Sequence, residues 1–405
     1  MKYALRMRLL IADKFPESFI AQFRSLGLAV DYEPELSAAA LAERVSDVQI
    51  LVVRSKKVSR EVIVRGDKLE LILRAGAGVD TIDVEAASER GIYVANCPGK
   101  NSVAVAELAM GLMLAVDRRI PAGTAELLAG SWNKKEYSKA DGIKGKTLGI
   151  VGFGAIGQAV ARRAAAFELD LLAWSVPAQP SVLAAHGARA PASLFELAEL
   201  ADIVTVHVPQ VAETKKMFGV EFFSRMKRGA VFINTSRGGV VDQPALERAM
   251  REKGIRVGLD VFDPEPEGAT GAFGGDIASL PGFVGTHHIG ASTEQAQNAI
   301  AEEAVRICRA FVTTGQVPNC VNIEQHTPAK VQLLVRHYDK VGVLAAVLEI
   351  VRNHGLNVED MTNTIFSGAK AAVAVIKLSA APPEGLIQEI ARMQDKVIQV
   401  SAKAC

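Results

Sequence analysis

Cysteine is scarce in this chain. Of 405 residues only four are cysteines, Cys97, Cys308, Cys320 and Cys405, and no two of them form a C-x-x-C pair. Neither a disulfide framework nor a thiolate zinc site is indicated. An excess of one charge is missing as well: 46 Lys and Arg stand against 45 Asp and Glu, a formal net charge of +1. That leaves no electrostatic footprint for nucleic acid, and no block of like charge suggests a tail. Long apolar runs are lacking too. The N-terminal run reaches Asp13 too soon to be a signal-peptide core, and the most apolar later stretch, Val103 to Val116, is interrupted by Glu107 and is too short for a bilayer. At 49% hydrophobic and 22% charged the composition is that of a globular protein. Its length suits two or three domains, expected in the cytoplasm with neither membrane nor nucleic acid as partner.

What is present is organised around Thr147 to Gly157, T-L-G-I-V-G-F-G-A-I-G. Leu148 to Val151 reads as a buried parallel strand, and Gln158 to Phe167 continues as a good helix former. Between them Gly152, Gly154 and Gly157 supply G-x-G-x-x-G. The first glycine makes the turn, the second admits a phosphate close to the backbone, and the third lets helix pack on strand. Ala155 and Ile156 lie at the helix start, where free N–H groups face the pyrophosphate of a dinucleotide. The next strand ends near Trp174, and Ser175 stands where an acidic residue usually holds the adenosine ribose. No Arg or Lys follows within a dozen residues to welcome a 2′-phosphate, so the expected cofactor is NAD, with NADP left open.

Apolar strands and amphipathic helices alternate on both sides of this unit. Leu9–Ala12, Gln49–Val53, Leu69–Leu73 and Ile92–Ala95 predict an open parallel sheet in the first hundred residues. Ligands on such sheets bind beyond the carboxyl ends of the strands. Arg54-Ser55-Lys56 and Arg74-Ala-Gly-Ala-Gly-Val-Asp80 fall there, and the N–H groups of Gly76, Ala77 and Gly78 suit a carboxylate or phosphate. A tight βα turn followed by a solvated arginine would explain the same residues. Later strands, 203–206, 230–234 and 257–262, end in polar residues on the cofactor side, among them Thr235, Ser236 and Asp260.

Arg237, Glu265 and His288 form a set that hydride transfer between an alcohol and nicotinamide can use. His288 would take the hydroxyl proton, Glu265 would stabilise the imidazolium, and Arg237 would hold a carboxylate and polarise a carbonyl oxygen. The neighbouring His287 raises the question of a metal, but no third ligand stands at a convincing spacing, so none is expected. After a linker at 318–330, the residues order themselves β-α-β-β-α-β, the ferredoxin-like plan, whose edge or helix face would serve as a dimer contact or a small-ligand site.

Six ordered motifs carry a resemblance: Arg74-Ala-Gly-x-Gly-Val-Asp80, Asn96-x-Pro98-x-x-Asn101-Ser102, G-x-G-x-x-G, Asn234-Thr-Ser-Arg-Gly238, Asp260-Val-Phe-x-x-Glu-Pro266 and His288-Ile-Gly-x-Ser-Thr293. Through them residues 1 to about 324 resemble the D-isomer-specific 2-hydroxyacid dehydrogenases, and the tail resembles an ACT regulatory domain. The resemblance implies two doubly wound α/β lobes, one Rossmann-type for the nucleotide (102–287) and one flavodoxin-like for the substrate (1–101 and 288–324), followed by the ACT-like domain (330–405). It also makes Arg237, Glu265 and His288 the catalytic set. The combination is similar to those family members that oxidise 3-phosphoglycerate at the entry to serine synthesis. Arg54-Ser55 and Trp132-x-Lys134 match their phosphate-site features, the second pair reaching a neighbouring subunit. His337 and Asn357 match serine-binding positions of related ACT domains, while Asp339 replaces an Asn and Val341 a Pro. A dimer or tetramer follows from isologous pairing of nucleotide lobes and tails. Hydroxypyruvate, glyoxylate and 2-oxoglutarate reductases share the same fold, as do the C-terminal-binding-protein corepressors.

Overall fold

The computed structural model describes residues 7–177, 179–266, 270–324 and 327–405. It divides into two compact units, Met1–Asn322 and Ile323–Cys405. The linker expected at 318–330 includes Gln325 and His326, which lie outside the described residues.

The first unit holds two parallel sheets. Strands β1 (Arg8–Ile11), β2 (Ala29–Tyr32), β3 (Ile50–Val53), β4 (Leu71–Arg74) and β5 (Tyr93–Asn96) pair in the order β2-β1-β3-β4-β5. This is the flavodoxin-like order, with its switch point between β1 and β3. Side-chain alternation explains why the strands read as unbroken apolar runs, since both faces are covered. Leu9, Ile11, Ile50, Val52 and Leu73 pack under Ile300, Ala304 and Ile307 of the long helix Glu294–Thr314. Leu10, Leu51, Val53 and Ile72 face Leu41, Val62 and Ala86 on the other side. Strand β2, half exposed along its length, escapes the sequence pattern because an edge strand needs no continuous apolar face.

In the second sheet β6 (Thr147–Val151), β7 (Asp170–Trp174), β8 (Ile203–Val206), β9 (Val231–Asn234), β10 (Arg256–Leu259) and β11 (Phe283–Gly285) run parallel in the order β11-β10-β9-β8-β6-β7. Outside β7 the chain makes one further parallel bridge, Leu172 with Arg189. Arg189 donates its N–H to Leu171 O and accepts from Ala173 N–H, both at 2.9 Å. Counting that residue as a strand reduced to one bridge restores the dinucleotide-fold order, in which β6 is flanked by β7 and β8 at the switch point.

The second unit has β12 (Val331–Tyr338), β13 (Val358–Ile365), β14 (Ala371–Leu378) and β15 (Val397–Ala404) in an antiparallel sheet ordered β13-β14-β12-β15. Val343, Val347 and Val351, four apart, make one buried stripe on the helix Val343–Asn353. Val347 and Val351 pack with Leu386 and Ile390 of the helix Glu384–Arg392 over Leu333, Val335, Ala374 and Ile376. Each such side chain contributes about 1.5–3 kcal/mol by leaving water. The expected α/β lobes and ferredoxin-like tail are therefore both present. Among the described residues no helix is long and apolar enough to cross a membrane.

One buried carboxylate ties the first lobe to its returning helix. Glu303 accepts from Arg306 Nη2 (2.6 Å) and Nε (3.0 Å) and from Asn319 Nδ2 (2.8 Å), with Lys100 Nζ 3.3 Å away. The Arg306 contact leads in holding its carboxyl at about 2, against the opposing effect of burial and with help from Asn319 and Lys100. A carboxyl depressed in the folded state stabilises the fold above its unfolded value near 4.5 and stops doing so as pH falls towards 2. Glu303→Gln should accordingly lower the melting temperature at pH 7. The gap to the parent protein should narrow as pH drops from about 4.5 towards the folded value. A gap that stayed constant over that range would show that the charge does not matter.

Candidate functional site

The turn after β6 shows why it needs three glycines. Gly152 has φ +91°, and a Cβ there would stand 2.5 Å from His207 O. A Cβ on Gly157 would stand 2.2 Å from Gly152 O, so helix and turn touch only because it is absent. Gly154 differs, since a Cβ there meets nothing within 4 Å. Its missing side chain opens space in front of the helix Ala155–Ala166, whose first N–H groups, at Ala155 and Ile156, have no intrahelical partners. Thr235, just past β9, is buried with its Oγ1 unpartnered. An open cradle at a helix N-terminus and an orphaned hydroxyl fit a bound dinucleotide. Ser175 is half-buried directly after β7. His207 ends β8 with Nε2 2.9 Å from Thr205 Oγ1 and Nδ1 buried and unpartnered; burial pushes its imidazole down to about 3.

Beyond β10 and β11 the second sheet assembles a His–Glu pair. His288 Nδ1 lies 2.8 Å from Glu265 Oε2, so Nδ1 carries the proton in that contact and Nε2 is left for a ligand. Burial alone would raise the Glu265 carboxyl. The contact with His288, the Phe262 N–H at 3.1 Å and the charges of His288 and Arg237 outweigh it and hold the group below the usual range. His288 itself sits at φ +52°, in the left-handed region that side chains with a Cβ avoid. Asp260 holds it there. Its carboxylate accepts from Thr286 Oγ1 (2.6 Å), Ile289 N–H (2.8 Å) and Gly290 N–H (2.9 Å), and its carbonyl accepts from His288 N–H (2.8 Å). Asp260, expected on the cofactor face, thus engages its own chain. The strand expected to reach Phe262 ends at Leu259 for the same reason.

Three arginines converge opposite this pair. Asn234 Oδ1 accepts from Ser236 N–H (2.9 Å) and Oγ (2.8 Å), and Asn234 Nδ2 donates to Arg237 O (2.8 Å). This side-chain turn also occupies Ser236 and aims Arg237 across to the first lobe. There a Cβ on Gly78 would stand 2.1 Å from Arg237 Nη2, and one on Gly76 would stand 1.3 Å from Arg74 Nη1. Gly76, at φ +154°, lets the Arg74 guanidinium fold back over the loop. Burial, with the charges of Arg237 and Arg54 adding to it, lowers Arg74 to about 10. The loop's carbonyls are taken, Gly76 O by Cys97 N–H (2.8 Å) and Ala77 O by Asn96 Nδ2 (2.5 Å). Among the described residues nothing accepts from the N–H of Ala77 or Gly78. Free donors beside guanidinium groups make a carboxylate cradle.

Arg54 is held from two sides. Its Nη1 donates to Gln297 Oε1 (2.9 Å) and its Nη2 to Ser292 Oγ (3.4 Å). Asp13 Oδ2 accepts three consecutive N–H groups, those of Arg54 (2.7 Å), Ser55 (3.1 Å) and Lys56 (3.0 Å). Asp13 Oδ1 takes the Ser55 hydroxyl at 3.4 Å. Ser55 therefore faces Asp13, and the Arg54 guanidinium is the group left to meet a ligand. A cleft of about 440 Å³ opens on the side of its partners Ser292 and Gln297, lined also by Lys14, Phe15, Thr293 and Glu294.

Other expected residues are not gathered here. Trp132, 79% exposed, and Lys134 lie on an exposed arm that begins with the helix Ile120–Leu128, none of whose residues is buried. In the second unit His337 is buried, with Nδ1 on Tyr338 O (2.8 Å) and Nε2 on Asn363 Oδ1 (3.0 Å). It pairs with Ala372 at one end of β14, while Asn357 accepts from Ser379 N–H past the other end. At about 3.3 Å per residue the two are roughly 20 Å apart, so one copy cannot bring both to one ligand. Half-buried Asp339 stands at the His337 end, bonded through its N–H to Lys370 O. Sequence reasoning placed the Arg74–Asp80 stretch at the ligand end of the sheet without giving Arg74 or Asp80 a role. It missed Asp13, Gln297 and Ser292 as site residues, and also the buried, unpartnered Asn101 Oδ1 and Ser102 Oγ. The Asn-Ser pair before a helix was the one signal available for the last two.

The family model for the D-isomer-specific 2-hydroxyacid dehydrogenase NAD-binding domain matches residues 110–290. A D-3-phosphoglycerate dehydrogenase of Methanocaldococcus jannaschii is 37% identical over 390 residues, which span 95% of this chain and 72% of that protein. A hydroxypyruvate reductase of Thermotoga maritima is 42% identical over 270 residues, 65% of this chain and 85% of that one. Among solved structures, an NAD⁺-bound 3-phosphoglycerate dehydrogenase of Entamoeba histolytica is similar with a TM-score of 0.66 and 28% identity, covering 78% of this chain and 99% of that chain.

With Ser175 in place of a carboxylate, nothing at this position repels a 2′-phosphate. NADPH should bind within about tenfold of NADH in a fluorescence titration, and Ser175→Asp should weaken NADPH by about tenfold or more while sparing NADH. NADPH binding a hundredfold weaker in the unaltered protein would place the discrimination elsewhere.

Proposed function

The chain belongs to the D-isomer-specific 2-hydroxyacid dehydrogenases, and we propose that its substrate is D-3-phosphoglycerate, oxidised to 3-phosphohydroxypyruvate at the entry to serine synthesis. The observation that carries this reading is the number of arginines. One guanidinium suffices for the carboxylate of a 2-hydroxy acid, yet Arg54 and Arg74 stand beside Arg237 around one glycine loop. Two further cations, with a cleft open next to Arg54, suit a second and doubly charged anionic group.

When bound, NAD supplies the hydride acceptor. The turn Gly152–Gly157, with the N–H groups of Ala155 and Ile156, would hold its pyrophosphate, Ser175 would stand at its adenosine ribose, and the Thr235 hydroxyl would be a further ligand. The N–H groups of Ala77 and Gly78 and Arg237 bind the substrate carboxylate, and Arg237 polarises the oxygen on C2. His288 Nε2 takes the C2 hydroxyl proton, and Glu265 balances the imidazolium that results. Arg54 and Arg74 hold the phosphate. Trp132 and Lys134 reach the site of a second copy, a role supported by the exposed arm that carries them, where Leu128 is 85% exposed. The second unit acts as an ACT domain, in which His337 and Asp339 of one copy and Asn357 of another share an amino-acid effector.

His288→Ala should lower kcat by about 10²–10⁴-fold and leave the dinucleotide dissociation constant nearly unchanged. Near-normal turnover would overturn the acid–base assignment. Arg54→Ala should raise KM for 3-phosphohydroxypyruvate by about ten- to a hundredfold and KM for hydroxypyruvate far less, because only the first loses charge-assisted hydrogen bonds. Equal effects on the two, or faster turnover of hydroxypyruvate by the unaltered enzyme, would replace the phosphorylated substrate with an unphosphorylated one.

A further inference from the structure

Arg237 leaves the end of β9 in the second lobe and crosses the cleft to a loop of the first. Its Nε donates to Asp80 Oδ2 at 2.7 Å, and its Nη1 donates to Ser236 O at 2.7 Å. Nη2 lies against Gly78, where no Cβ would fit. Asp80 ends the same Arg74–Asp80 loop, with its side chain 51% exposed against 30% for Arg237. Nothing about this ion pair looks like a stability device. Half-exposed pairs contribute little to folding, and a carboxylate beside a substrate-binding arginine weakens its pull on an anion.

The surroundings explain why the carboxylate is there. Arg237 shares its corner with Arg74, whose like charge repels it, and Arg74 is repelled in turn by Arg54. A second anion within electrostatic reach is Glu265, already bonded to His288. Left to these forces, the guanidinium would turn from the glycine loop towards Glu265 and compete with His288 for it. Asp80 instead takes the guanidinium side-on, through Nε, and leaves Nη2 against Gly78, on the loop that carries the unpartnered N–H groups of Ala77 and Gly78.

We infer that Asp80 is a positioning residue, which holds Arg237 across the cleft so that its Nη2 and the Ala77–Gly78 amides form one carboxylate site. This rests on the reading of Arg237 as the substrate-carboxylate ligand, and applies to any 2-hydroxy acid, phosphorylated or not. It also links the lobes, because the residue fixing the arginine belongs to one lobe and the arginine to the other.

A double-mutant cycle on the NADH-loaded enzyme tests it, reading oxalate dissociation by fluorescence alongside kcat and KM for the oxo acid. Asp80→Ala should weaken oxalate and raise KM by about tenfold or more, with NADH affinity and melting temperature little changed. Asp80→Asn should recover most of the loss, since its amide oxygen still accepts from Nε. In an Arg237→Ala background, Asp80→Ala should add less than about twofold. If Arg237→Ala weakens oxalate but Asp80→Ala is neutral, or its loss is the same in both backgrounds, the role given to Asp80 is wrong. If Arg237→Ala itself leaves oxalate binding intact, the reading of Arg237 fails, and the role of Asp80 fails with it.

Discussion

The site depends first on the buried carboxylate of Asp260. An ionised group taken out of water is costly unless its lone pairs are met, and here two backbone N–H groups and a threonine hydroxyl meet them. The same contacts fold residues 286–290 around Asp260 and force His288 into a left-handed conformation. Strain of this kind persists only where the surroundings over-determine it. Gly290 is part of the arrangement, for a Cβ there would stand 3.1 Å from Asp260 Oδ2. With the backbone fixed in this way, the imidazole has only its own torsions left, and Glu265 Oε2 at 2.8 Å from Nδ1 settles those. The chain then enters the helix Glu294–Thr314, capped by Thr293 Oγ1, which accepts from Ala296 N–H at 3.2 Å. One carboxylate therefore sets both the imidazole and the point where the chain crosses back to the first lobe.

Arg237 follows a parallel logic with different means. Its backbone is fixed by a neutral side chain, Asn234, and its tip by a carboxylate from the other lobe. Histidine and arginine thus come from the carboxyl ends of two strands of one sheet, β11 and β9, on either side of β10, while the loop they face belongs to another. Parallel sheets place such ends on one side, and the reduced strand at Arg189 keeps β6 at the switch point where a dinucleotide lies. A reaction centre between two sheets can close or open without rebuilding either one.

Much of this was legible in the sequence, for identifiable reasons. Buried parallel strands appear as short runs of branched apolar residues, and the glycine turn after β6 repeats a spacing set by helix–strand packing. Arg237, Glu265 and His288 could be grouped because all three follow strand ends. The residues that escaped act through tertiary contacts without local periodicity. Asp13 matters because its carboxylate reaches the amides of residues 54–56, and Arg74 because its side chain folds back over Gly76. Neither relation leaves a trace in spacing. The helix Ile120–Leu128 escaped for the opposite reason: its apolar residues are not packed against the chain that carries them. His337 and Asn357 were legible as residue types, while their separation along β14 was not.

The arginine corner shows how a site can be built at the expense of its own ground state. Arg74 has lost most of its hydration, its Nε is buried without a partner, and two like charges stand near it. Even so, a guanidinium held at about 10 stays charged at neutral pH, so the repulsion is not relieved by losing a proton. The carboxylates nearby offset it only in part: Asp13 favours the charged form of Arg54 and Asp80 that of Arg74, yet burial and the like charges still lower Arg74. Positive potential therefore remains at the faces turned to the cleft, where an anion would gain from all three guanidinium groups at once. The binding of an acid there would be driven in part by relief of strain already present in the protein. A neutral ligand of the same shape would leave that strain in place, which makes charge, before shape, the first basis of selection here.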